Sequence, residues 1–219
     1  MAAEEEGGKV AGAAEEAYSE YLRGRSLKGF LYRKWLLYPR IIHRLDGRIL
    51  DFGCGIGDFL ACCRNAVGVD SNPHNVAVCL KRGLDATVVR DRRLPFADRH
   101  FSGVVMDNVL EHIPGPEVVE TMREVLRVLM PGGTLVIGMP GPRGYAADED
   151  HRCFYTEGEL IRLMGSFACV RRKIFHAPFY FPPLGRCLRQ YCLYVFFQAP
   201  PVASPDNVTE EGQKVRIEA

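Results

Sequence analysis

Ile49-Leu50-Asp51-Phe52-Gly53-Cys54-Gly55-Ile56-Gly57-Asp58-Phe59-Leu60 is the stretch whose reading decides the fold. Ile49, Leu50 and Phe52 read as a short buried strand, the glycines as a tight turn, and Asp58-Phe59-Leu60-Ala61 as the first turn of a helix. A strand that passes through glycines into a helix brings backbone N–H groups and a positive helix end to whatever sits beside it. Glycine at 53, 55 and 57 lets the main chain come close to a ligand, because no Cβ intervenes. The spacing is G-x-G-x-G with Asp51 two residues ahead, which differs from the G-x-G-x-x-G that accommodates a dinucleotide pyrophosphate.

Downstream, Val67-Gly68-Val69-Asp70 is a second short apolar strand ending in an acid, the place where doubly wound folds hold ribose hydroxyls. Leu94-Pro95-Phe96 precedes a third apolar run, Val109-Leu110-Glu111-His112 follows it, and Leu129-Met130-Pro131-Gly132-Gly133-Thr134-Leu135-Val136-Ile137 comes later. With these pieces in this order the chain resembles the class I S-adenosylmethionine-dependent methyltransferases, in the small-molecule branch that carries D-x-G-C-G-x-G, L-P-F and L-E-H. The resemblance covers roughly residues 45 to 175. It implies an α/β fold: a Rossmann-like, doubly wound, mostly parallel seven-stranded sheet with an antiparallel last strand and helices on both faces.

The pattern of elements agrees with that expectation. Apolar strands near 48–52, 66–70, 86–90, 102–107 and 133–138 alternate with amphipathic helices, which implies a mostly parallel sheet with its ligand at the carboxyl ends of the strands. One helix begins at Pro73, where the missing N–H is not needed, and another runs from Pro116 to Leu129. Thr156 with Glu159 three residues on is a capping-box pattern, and 167–175 and 192–197 read as two further strands.

Length and composition bound the rest. The 219 residues suit one domain over 14–199, and a net charge of +1 gives no global pull toward nucleic acid or membrane. Residues 1–13 read as a disordered lead, 14–44 as a helical lid, 176–191 as an aromatic and basic insertion, and 200–219 as a flexible tail. Eight cysteines lack C-x-x-C or Cys/His ligand spacing and read as free thiols, with no metal expected. No uncharged apolar run approaches the roughly 20 residues of a membrane helix, and a reducing cytoplasm fits the thiols.

By resemblance the cofactor is S-adenosyl-L-methionine. Gly53, Gly55 and Gly57 are assigned close backbone contact with it, Asp51 the orientation of that loop, and Asp70, with Ser71 beside it, the ribose hydroxyls. Cys54 packs beside the cofactor. Relatives place an acid about four residues before L-P-F for the adenine amino group; here Arg90 stands there, so either Asp91 does the job or backbone groups of Asp91 and Arg92 hold the base. Asn108 is assigned to the methionine portion. Tyr18, Tyr21 and Arg33 are candidates for the methionine carboxylate.

His112 and His151 are the two candidate bases for an acceptor proton, since imidazole titrates near neutrality. Glu111 and His112 have the alternative of capping the next helix or bonding each other. The expected acceptor is a small molecule or a glycan- or lipid-linked metabolite, methylated on oxygen, with peripheral membrane contact through the insertion. Nucleic acid is disfavoured, because Asp107-Asn108-Val109-Leu110 replaces the N-P-P-Y-like sequence of base-modifying relatives. A protein that binds the cofactor without catalysis is the remaining alternative.

Overall fold

The computed structural model describes residues 16, 17, 20, 27–90, 93–181, 183–188 and 190–201. The expected lead, most of the tail, and Tyr18, Tyr21, Asp91 and Arg92 lie outside the described residues. Seven strands form one sheet in the order β3-β2-β1-β4-β5-β7-β6. They are β1 (Ile49–Phe52), β2 (Ala66–Asp70), β3 (Ala86–Val88), β4 (Phe101–Asp107), β5 (Leu129–Pro140), β6 (Val170–Ala177) and β7 (Cys192–Gln198). β2 with β3 and β4 with β5 run parallel, while β7 is antiparallel to both neighbours. Reversal of the last strand alone is the mixed sheet that the sequence implied.

Two compact groups of residues are described in turn, one running to Arg44 and resuming over Leu50–Arg90, the other comprising Leu45–Ile49 and the chain from Asp91. In the first, α1 (Leu27–Tyr32), a wider π-helical turn (Arg33–Leu37) and α2 (Tyr38–Ile42) follow without a break. Leu37, Tyr38 and Ile41 are buried, but Leu31, Trp35 and Leu36 are exposed. In the sequence Leu27, Phe30, Leu31, Trp35, Leu37, Tyr38 and Ile41 approximate one apolar face, and that face is thus split. A π turn adds a residue per turn, so positions on either side of it fall out of the 3.6-residue phase. Tyr38 packs edge-on against Phe59, with ring centroids 5.4 Å apart.

No regular helix follows the glycine corner; isolated turns do, closed by Ala61 N–H to Gly57 O and Cys63 N–H to Phe59 O, each 3.0 Å. Only eight residues separate Gly57 from Ala66, where β2 begins, so the chain turns back after one helical turn. α3 (Pro73–Lys81) starts as expected: Asn72 caps it by accepting from His74 N–H at 2.9 Å and Asn75 N–H at 3.4 Å.

In the second group, α4 (Gly115–Val128) buries Val118, Met122, Val125 and Val128, whereas its period read from the sequence put Val119, Met122, Leu126 and Leu129 on one face; Val119 and Leu126 are only half-buried. Its last turn holds the L-P-F segment. Arg127 donates to the carbonyls of Leu94 (3.2 Å) and Phe96 (2.9 Å) and to both oxygens of Glu124, which itself accepts from Leu94 N–H at 2.6 Å. The guanidinium holds the Glu124 carboxyl below the usual range. β5 begins earlier than expected, at Leu129. Phe101 faces Leu129 and Gly103 faces Thr134, so the Met130–Gly133 segment is taken up as extra length against β4.

Beyond β5 come α5 (Pro142–Tyr145) and α6 (Glu157–Ser166), the second opened by the Thr156/Glu159 capping box. α7 (Leu184–Cys187) lies in the aromatic insertion, where Phe179, Tyr180 and Phe181 are exposed. All eight cysteines are free thiols. No described helix is long and apolar enough to cross a membrane.

Arg127→Met removes every guanidinium donor of the latch and leaves the largely covered Glu124 carboxylate with only the Leu94 N–H. It is expected to lower unfolding free energy by about 2 kcal/mol in urea titrations.

Candidate functional site

The chemistry-bearing residues fall into two clusters, each built within one of the two groups. The first is the glycine corner. Gly53, Gly55 and Gly57 all have left-handed backbone, with φ of 75°, 52° and 81°. The tip of β2 consumes the N–H groups of the corner. Val69 O accepts from Gly53 N–H (2.8 Å) and Cys54 N–H (2.9 Å), and Gly57 N–H donates to Cys54 O (2.9 Å). Asp70 Oδ2 accepts from Gly55 N–H at 2.8 Å, while its Oδ1 accepts from Asn72 N–H at 2.8 Å and Asn75 Nδ2 at 3.2 Å.

The N–H groups of Gly53, Cys54, Gly55 and Gly57 are thus taken up within the protein. Carboxylates gather at the corner. Asp51 is 2% exposed at the end of β1, and Asp70 is half-buried. That balance suits a ligand carrying positive charge, such as a sulfonium with an ammonium group. Asp58, in the following turn, pairs with Arg33 at 2.9 Å and Arg82 at 3.6 Å. Arg33 is therefore engaged by protein.

The glycines differ in what they serve. A Cβ on Gly57 would lie 2.6 Å from Leu84 Cδ1 and 2.9 Å from Cys79 Sγ, so that position is closed by core packing. Gly68 likewise admits Cys54, whose Sγ would sit 2.7 Å from an added Cβ. Cys54 is buried and its thiol is pushed up, first by the hydrogen bond with Cys79 and then by burial. Ser71 is exposed next to Asp70.

The second cluster lies at the end of β4. Asn108 takes a left-handed backbone (φ 55°), which asparagine tolerates better than most residues, and its N–H donates to Gly138 O at 3.0 Å. Its Nδ2 donates to Asp107 Oδ1 at 3.0 Å, and Tyr194 Oη donates to the same oxygen at 2.7 Å. A Cβ on Gly138 would lie 2.5 Å from Tyr194 Cε1 and 2.8 Å from Asp107 Oδ1, so this contact needs glycine. Neither Tyr194 nor Gly138 was singled out from sequence. An isolated glycine inside a strand run was the available signal for Gly138.

A 3-10 turn (Leu110–His112) follows, and α4 starts after Pro114 without a side-chain cap, so Glu111 and His112 do not cap it. The carbonyl of Glu111 accepts from Arg152 N–H (2.7 Å) and Cys153 N–H (3.1 Å), which draws the 148–155 segment in. The two candidate bases consequently meet: the rings of His112 and His151 lie 4.6 Å apart. His151 also stacks on Tyr145, and its Nδ1 lies 2.7 Å from Tyr145 O. A carbonyl only accepts, so Nδ1 carries the proton in this contact and Nε2 is left for another partner.

Glu111 is fully buried, and neither carboxyl oxygen makes a hydrogen bond. Burial raises its pKa to about 8; its own backbone N–H pulls against that, and nearby Asp107 and Asp148 push the same way as burial. His112 is pushed down from the usual imidazole value by burial and by His151, although it donates to the Asp150 carbonyl. Carboxyl and imidazole are both biased toward their neutral forms.

Comparison with known proteins places this geometry. The methyltransferase domain family matches residues 50–137. An uncharacterised protein of Methanocaldococcus jannaschii is 30% identical over 118 residues, covering 49% of the chain and 57% of its own length. The human probable tRNA methyltransferase 9B is 30% identical over 116 residues, covering 52% and 24%. The chain thus spans between a quarter and a little over half of these curated relatives. Among solved structures, a Thermotoga maritima S-adenosylmethionine-dependent methyltransferase, possibly a histamine N-methyltransferase, superposes with a TM-score of 0.67 at 20% identity, covering 84% and 97%. At that identity the likeness is one of fold.

Two outcomes follow. Gly138→Ala drives Tyr194 off Asp107 and is expected to cost about 1–3 kcal/mol of stability, read by urea unfolding. Glu111 is protonated in the folded protein up to about pH 8 but ionises near 4.5 when unfolded, so it weakens the fold progressively as pH rises through that window. In metal-free buffer the stability of the wild type relative to Glu111→Gln should therefore fall between pH 5 and pH 8; a flat difference would contradict the raised pKa.

Proposed function

We propose, from the methyltransferase-domain match over residues 50–137 and from the fold, that the chain is a class I S-adenosylmethionine-dependent methyltransferase that methylates a small-molecule, glycan or lipid-linked acceptor, on oxygen, by in-line displacement. The observation that carries the reading is the glycine corner held by Asp70, inside the matched segment. S-adenosylmethionine supplies an activated methyl group on a good leaving group. The chain has chiefly to align donor and acceptor and to exclude water.

Asp70 is assigned to the ribose hydroxyls, which compete for a carboxylate already shared with Gly55, Asn72 and Asn75. Ser71 lies next to it. Gly53 and Gly55 give the main-chain approach, while Gly57 and Cys54 set the corner from below through Cys79, Leu84 and Gly68. Asp51 orients the corner and favours the cationic end of the cofactor. Asn108 is assigned to the methionine portion, and Asp91 or Arg92 to the adenine.

His112 and His151 are assigned to the acceptor. The acceptor hydroxyl would give up its proton as it takes the methyl group, and His112 or His151 would receive it, burial biasing the His112 imidazole toward its neutral form. The aromatic insertion, with Phe179, Tyr180 and Phe181 exposed near Arg186, offers faces for a sugar ring or a lipid headgroup region. Similarity to the probable tRNA methyltransferase favours RNA as a second acceptor class.

Calorimetry with S-adenosylmethionine and S-adenosylhomocysteine tests the cofactor, and Asp70→Ala should weaken binding at least about tenfold. A labelled-methyl screen over sugars, lipid-linked intermediates and tRNA then separates the acceptor classes. Binding of neither compound would reject the reading, and binding without turnover on any of them would leave a cofactor-binding protein.

A further inference from the structure

Glu111, His112 and His151 offer one carboxylate oxygen and two ring nitrogens that all lie within 4.8 Å of one another. From this cluster we infer that the chain holds a first-row divalent metal ion, zinc in the first instance, on these three side chains. No C-x-x-C or His spacing in the sequence announces such a site, because Glu111 and His112 belong to the turn after β4 and His151 arrives from the segment after α5.

Glu111 supplies the first argument. Its carboxyl is fully buried in a turn of the backbone, and no donor satisfies either oxygen. Leaving a buried carboxyl without a partner is unfavourable, and buried charged groups are normally paired or bound to metal. Among the described ion pairs its neighbour is His151 Nε2, at 3.9 Å from Oε1, outside hydrogen-bond range. An ion between them satisfies the oxygen that the protein leaves bare.

The histidines supply the second. Metal-bound imidazoles normally donate their other N–H to a carbonyl or carboxylate, which fixes ring and tautomer. His151 does this through Nδ1 to Tyr145 O at 2.7 Å, leaving Nε2 toward Glu111. His112 interacts with the main chain of Asp150. The His151 ring is therefore held by main chain through one nitrogen with the other toward Glu111, as ligands are. His151 is further fixed by stacking on Tyr145, at 5.1 Å between centroids.

The donor set matches the ion. Two imidazoles and a carboxylate suit zinc and its first-row neighbours, and three protein ligands leave a position open, as in catalytic rather than structural sites. Ligand bonds of roughly 2.1 Å place donors about 3.4 Å apart around a tetrahedral ion, so the cluster contracts by somewhat over 1 Å on binding. Asp148 Oδ2, 4.0 Å from His151 Nε2, stands near enough to be recruited as a further ligand. This assignment rests on the methyl-transfer reading in one respect only: the open position would take the acceptor oxygen, so that the ion acidifies the hydroxyl in place of direct proton transfer to an imidazole.

Chelator-stripped full-length protein titrated with zinc chloride by calorimetry, and with cobalt chloride followed by visible absorption, tests the site. The expected result is about one ion per chain at micromolar or tighter affinity, a cobalt spectrum with nitrogen and oxygen ligation and no thiolate charge-transfer band, and at least about tenfold weaker binding in Glu111→Gln and His151→Ala. Eight free thiols are the competing ligands. Binding that survives Glu111→Gln unchanged, a thiolate band, or no uptake by the wild type would each overturn the assignment. The wild-type titration and spectrum decide even where a variant fails to fold. S-adenosylmethionine calorimetry on the stripped protein is run alongside: metal uptake without cofactor binding keeps the metal site and rejects methyl transfer, and the reverse keeps methyl transfer and rejects the metal site.

Discussion

The carboxylate of Asp70 holds the tip of β2 to the glycine corner, and the shape of the first cluster depends on that contact. One oxygen accepts from Gly55 N–H while the other accepts from Asn72 N–H and the Asn75 amide. The main chain between Gly53 and Gly57 can follow this path because three glycines take left-handed backbone. Val69 O secures the same turn from the adjoining residue through two N–H donors. With those donors engaged, the corner is bordered by the carboxylates of Asp51 and Asp70 and by Arg82, which donates to Ile56 O.

A different constraint shapes the second cluster. Asp107 is crowded by Asn108 and Tyr194, and the crowding is possible only because Gly138 has no side chain. The next turn buries Glu111, and its carbonyl draws in Arg152 and Cys153, so that His151 lands on His112. A buried carboxyl with no hydrogen bond is an unfavourable thing to build into a fold, and its position beside two imidazoles is the strongest sign of function on this side.

The elements that periodicity specifies well were legible. α4 forms where its period placed it, although the buried face is centred on Val118, Val125 and Val128 and not on Val119 and Leu126; Thr156 and Glu159 form their capping box, and α3 begins at Pro73. Local chemistry decides such features, so a local reading finds them. The helix expected after Gly57 and the continuous apolar face over residues 27–41 were misread for the opposite reason. The first is cut short by the distance left before β2, and the second is broken by a π turn, which propensities do not reveal.

The sequence by itself determined the fold class and the identity of the glycine corner and its acid, because glycine spacing and a strand-end aspartate are consecutive features with one mechanical reading. Only the tertiary structure decided that Gly57 is closed by Cys79 and Leu84, that Tyr194 and Gly138 support Asp107, and that His112, His151 and Glu111 come together. Those associations join residues 22 to 87 positions apart, apart from the neighbours Glu111 and His112. They are fixed by sheet order and by main-chain hydrogen bonds across loops, which no window along the chain contains.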